Sequence, residues 1–96
     1  MNRTPANAQA AAKIALNLAK ACAKLAEVSA NPIRARVSAA MAMKIAKNAK
    51  IAADYAAIAT SPEAKAQALA DAFQCIRIVK EYSAETQAAA LAAGPL

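Results

Sequence analysis

The chain has 96 residues, twelve Lys or Arg against six Asp or Glu, no histidine, and a formal net charge of +6. The length fits a single domain over residues 1–96, and a hydrophobic fraction of 59% with one glycine excludes a disordered chain. Lys13, Lys20 and Lys24 interrupt the most apolar stretch and exclude a membrane span, while two cysteines without ligand spacing leave no metal or cofactor site to build.

The first element starts at Thr4-Pro5, where a capping hydroxyl precedes a proline whose missing N–H costs nothing at the first helical position. Residues 5–30 read as a helix, with small residues at Ala8, Ala12, Ala15, Ala19, Cys22, Ala26 and Ser29. The first 26 residues hold basic but no acidic side chains, as a transit peptide does, but the cap and the regular seam read as a structured helix. No targeting signal is read, which fits cytoplasmic expression and assigns no location.

Asn31-Pro32 opens the second helix, over 32–59, with a seam of Ala35, Ala39, Ala42, Ala46, Ala49, Ala53 and Ala56 spaced 4, 3, 4, 3, 4, 3. Ser61-Pro62 opens the third, over 62–82. Ser83, followed by Glu85 and Thr86, reads as a fourth start, giving a short helix over 84–93 that ends before Gly94-Pro95. Turns of a few residues make sequential neighbours antiparallel. The expected fold is therefore all-α, an antiparallel helical bundle of three long helices plus a short C-terminal helix.

At 100° per residue each long helix divides into a narrow polar arc, an arc of small residues and an arc of large apolar ones. The large arcs are Ile14, Leu18, Leu25 and Val28; then Ile33, Val37, Met41, Ile51, Tyr55 and Ile58; then Leu69, Phe73 and Ile76. The third helix has Ala64, Ala68, Ala72, Cys75 and Val79 as its small arc. Facing small seams let helix axes approach to roughly 8 Å. With a third of the chain alanine and 3% aromatic, the core is thin and intrinsic helix propensity carries much of the stability. The polar arcs, about 80° wide on the first two helices, are too narrow for a solitary bundle and call for further contacts.

Chemistry is scarce, and no enzymatic activity is expected. The carboxylates lie on polar arcs with no pair forming a dyad. Lys44 and Asn48 fall within the large apolar arc of the second helix and, with Tyr55, could line a cavity for a small apolar ligand. Cys22 and Cys75 lie in small-residue arcs, where a thiol behaves as an inert small hydrophobe. Leu16, Met43 and Ile78 each border the polar arc of their helix, where an isolated chain would carry a charge, and are the expected subunit-contact residues.

Charge is uneven. Residues 1–53 carry nine Lys or Arg against Glu27 alone, whereas residues 54–96 carry three against five acids. A basic first hairpin could bind nucleic acid through phosphates, but no aromatic residue interleaves with the lysines to stack a base, so a solvated face is favoured.

The cap-proline starts (Thr4-Pro5-Ala6, Asn31-Pro32-Ile33, Ser61-Pro62-Glu63), minimal turns, absence of histidine and tryptophan, and idealised helices resemble a computationally designed helical bundle over the whole chain. The paired alanine heptads resemble the close-packed Alacoil arrangement. This resemblance implies a structural purpose. The function expected is that of a self-assembling helical building block forming a symmetric homo-oligomer, its partner being itself, with a ligand-binding bundle as the alternative.

Overall fold

In the computed structural model, residues 3–29 and 32–91 are described, and they are all-helical: α1 (Pro5–Glu27), α2 (Pro32–Ile58) and α3 (Pro62–Leu91). Two helix starts are built as the cap-proline dipeptides dictate. Thr4 Oγ1 accepts from the Asn7 N–H at 3.2 Å and Ser61 Oγ from the Ala64 N–H at 3.0 Å, each satisfying an orphan donor of the first turn. Asn31 and Gly94-Pro95 lie outside the described residues. The end of α1 tightens, with the Val28 and Ser29 N–H groups reaching the Leu25 and Ala26 carbonyls three residues back.

The separate helix expected over 84–93 does not exist, because α3 runs unbroken from Pro62 to Leu91. Ser83 is buried inside it, on a line with Ala68, Ala72, Ile76, Val79, Thr86 and Ala89. A serine is both a capping residue and a small residue, and here its size decides. No proline follows Ser83 to set φ for a new start, whereas one follows Thr4 and Ser61.

Packing follows the small seams. Ala8, Ala12, Ala15, Ala19, Cys22 and Ala26 of α1 are buried, as are all seven alanines of the α2 seam. Most of them form one cluster with Ala72, Ile76 and Val79, and a second cluster joins Cys22, Ala26, Ala35, Ala39 and Ala89. On α3, Ile76 is buried and Cys75 half-buried, the reverse of the expected small arc. The buried line of α3 steps 4, 4, 3, 4, 3, 3 and so drifts off the regular heptad at this position.

The large apolar arcs of α1 and α2 mostly face outward, with Leu18, Leu25 and Met41 half-buried. Ile14, Val28, Ile33, Val37, Ile51, Tyr55, Ile58 and Leu91 are exposed, and Val79 and Thr86 are the largest fully buried side chains. The result is a slender rod of 55 × 18 × 16 Å. Its Cα radius of gyration of 15.1 Å exceeds the roughly 12 Å of a compact domain of this length.

Candidate interface and groove

One polar device crosses the alanine core. Ser38 on α2 and Thr86 on α3 share a buried hydroxyl–hydroxyl bond of 2.7 Å. One of the two must donate across and the other backward, to the Tyr82 carbonyl at 3.0 Å from Thr86 or to the Ala35 carbonyl at 3.1 Å from Ser38. Both hydroxyls are therefore satisfied, and the pair fixes the height of α3 against α2, because any slip along the helices would leave two buried hydroxyls facing methyl groups.

Along α2 the residues Ile33, Val37, Met41, Lys44, Asn48, Ile51, Tyr55 and Ile58 form a second heptad-like stripe, back to back with the alanine seam. It points outward. Lys44 and Asn48, in its middle, are exposed rather than buried, because the arc to which they belong faces away from the core at every position but the half-buried Met41.

Between α2 and α3 an open groove of about 830 Å³ is lined by Asn48, Ile51, Ala52 and Tyr55 from α2 and by Ala64, Gln67, Ala68, Asp71, Gln74, Cys75 and Ile78 from α3. Two of the three residues expected around a ligand, Asn48 and Tyr55, line it together, and Lys44 does not. Ile78, expected at a subunit contact, is half-buried in the same groove. Leu16 and Met43 are half-buried against the main core cluster. Leu16 and Met43 thus share one core cluster, while Ile78 lies in the groove.

Gln67, Asp71 and Gln74, on the polar arc of α3, are lining residues that nothing in the sequence analysis assigned to a site. Their spacing of 4 and 3 matches the stripe on α2 and was the available signal. The Gln67 amide donates to Asp71 Oδ1 at 2.9 Å, which holds that carboxylate along its own helix. Burial raises the pKa of the Cys75 thiol above its ordinary value, helped by the charge of Asp71, which favours the protonated thiol. Cys22 and Cys75 are both free.

The polar faces are lightly tied. Asp54 accepts from Lys50 at 2.8 Å and from the Gln9 amide of α1 at 3.2 Å, and these bonds hold its carboxyl below the ordinary value. Lys50–Asp54 is the one ion pair among the described residues. Arg3 lies over the Phe73 ring, 5.2 Å from its centre. Among the described residues no group of His, Cys, Asp or Glu could hold a metal ion, and no helix is long and apolar enough to cross a membrane. The chain matches no protein-family model, no curated protein and no solved structure.

Proposed function

We propose that the chain is a self-associating helical building block that forms a closed symmetric homo-oligomer and performs no catalysis. The observation that carries this reading is the inversion of residue size between inside and outside. Eight large apolar side chains are exposed while the core is built of alanine. Covering an Ile, Leu or Val contributes about 1.5–3 kcal/mol, so a second copy has more to offer this surface than the protomer's own core does.

Two further quantities support it. The accessible surface is 6055 Å², against roughly 5,200 Å² for a typical folded monomer of this mass. The excess is close to the ~800 Å² that each partner covers in a standard interface. The idealised helices and cap-proline starts fit the same structural purpose, that of a designed bundle. As part of this proposal the three helices alternate in direction. Gln9 near the start of α1 meets Asp54 near the end of α2, and Ser38 near the start of α2 meets Thr86 near the end of α3.

The test is mass in solution together with thermal melting over a concentration series. A mass at a small multiple of 9.8 kDa and a Tm that rises with concentration are expected, because association stabilises the fold by mass action. A 9.8 kDa species at 100 µM with a concentration-independent Tm overturns the proposal. The α2–α3 groove favours the second reading, a binder of a small apolar ligand near Asn48 and Tyr55, since about 830 Å³ lies within the usual range for ligand sites. That reading expects a monomer whose Tyr55 fluorescence responds to an apolar probe such as an alkylbenzene.

A further inference from the structure

Two grooves lie along the outer side of the α2–α3 pair, together marking a trough that spans about 30 Å from Arg34 to Tyr55 at 1.5 Å per residue. The smaller of the two has a volume of about 280 Å³ and is lined by Arg34, Val37, Ser38, Tyr82 and Glu85. The two lining sets are the same helix faces, since Val37 and Ile51 are two heptads apart, and Cys75 and Tyr82, like Ile78 and Glu85, are one heptad apart.

The two walls differ in charge. Every acid of α3 lies on the trough edge: Asp71 and Glu85 line it, Glu81 stands one heptad after the lining Gln74, and Glu63 four residues before the lining Gln67. The three bases of α3 stand elsewhere, Arg77 and Lys80 beside a different pocket with Arg3 and Phe73, and Lys65 in the lining of neither trough groove. The α2 wall carries Arg34 in the trough and Lys44 on the outer stripe. None of these charges forms an ion pair within the protomer, where Lys50–Asp54 is the one pair among the described residues.

We infer that the trough is the self-association surface, occupied by the α2–α3 pair of a second copy around a two-fold axis parallel to the helices. This rests on the proposed self-association and names its surface and symmetry. An axis in that direction sets each α2 against the α3 of the other copy, so a basic wall meets an acidic one. A two-fold axis perpendicular to the helices would instead stack α2 on α2 and α3 on α3, like charge on like. Heights along the bundle are preserved by the parallel axis. The Ser38–Thr86 bond sets residue 38 level with 86, which brings Lys44 level with the turn that holds Glu81. Ile51, 67% exposed, and Tyr55, 51% exposed, become apolar contacts of a four-helix interface, and α1 stays outside it.

The experiment is sedimentation equilibrium on the parent chain, Ile51→Asp, Tyr55→Asp, Ile14→Asp, Lys44→Glu, Glu81→Lys and the double variant Lys44→Glu/Glu81→Lys, with helicity followed by circular dichroism. All the altered side chains except that of Ile14 lie on the trough or its edges, and Ile14 is an exposed residue of α1. The expected result is a dimer for the parent and for Ile14→Asp, and at least tenfold weaker dimers for Ile51→Asp and Tyr55→Asp. Lys44→Glu and Glu81→Lys each weaken the dimer several-fold, and the double variant restores it. An oligomer indifferent to the trough variants but lost with Ile14→Asp overturns this inference and leaves self-association standing. Failure of the double variant to recover overturns the parallel axis, and a monomeric parent overturns both the inference and the function on which it rests.

Discussion

α2 carries two stripes on opposite faces, and the chain buries the one with less to gain per residue. The inner stripe is seven alanines, while the outer one holds Ile33, Val37, Met41, Ile51, Tyr55 and Ile58. A buried isoleucine contributes about 1.5–3 kcal/mol and a methyl group about 0.8, so transfer energy alone would turn the helix around. The deciding property is fit. α1 offers a matching line of small residues, and two such lines let backbones approach along their whole length, so that every seam position is packed at once. Large residues have no equally continuous partner within the protomer. Size complementarity over a whole helix decides what is buried, and the unmatched stripe is left exposed.

The comparison breaks first at Ala46, which is fully buried in the main cluster. Ala46→Leu must force the helices apart and is expected to cost about 1–3 kcal/mol, whereas leucine at the exposed Ala57 changes stability by less than about 0.5 kcal/mol. Thermal melting of both variants reads the difference directly. Equal melting would mean that the alanine seam is not a close contact.

A smaller effect sharpens the inner side. Ser38→Ala and Thr86→Val each remove the 2.7 Å bond and leave the remaining hydroxyl its local carbonyl, so each costs about 1 kcal/mol. The double variant costs less than the sum of the two, as expected when one bond is lost twice, and denaturant titration of the four proteins measures that coupling. Strict additivity would assign the bond no energetic role.

The smallest effect lies on the outer side, at Asp54, whose side chain is about half exposed. Its folded pKa is depressed, first by the Lys50 bond and then by the Gln9 bond, below the ordinary 3.8. Its contribution is therefore present above pH 3.8 and is lost as pH falls through the lower folded value. Asp54→Asn should be slightly less stable than the parent at pH 7 and equal to it at pH 2. A constant difference across that range would remove Lys50–Asp54 as its source, and screening by solvent keeps the effect small in any case.

Much of the fold was legible because its signals are local. Thr4-Pro5 and Ser61-Pro62 each unite a capping side chain with a fixed φ, and both open helices as read. Ser83 offered a capping side chain without the proline, and the helix passes through it, because a serine in mid-helix fits a small-residue line as well as an alanine does. At the groove, Asn48 and Tyr55 were legible as neighbours on one face, but their companions Gln67, Asp71 and Cys75 come from another helix, and no local signal joins residues across α2 and α3.

The amino-acid sequence by itself determined the helices, since alanine propensity, proline placement and capping act within a few residues of one another. It also determined which residues share a stripe, because 100° per residue is a property of the helix and not of its surroundings. Which stripe turns inward was decided only in the tertiary structure. Lys44, on an apolar arc, became exposed, and Ile76 took the buried place expected of Cys75, because burial depends on what the neighbouring helix presents at the same height. The height itself is set by contacts such as Ser38 with Thr86, 48 residues apart in the chain, and only folding brings such a pair together.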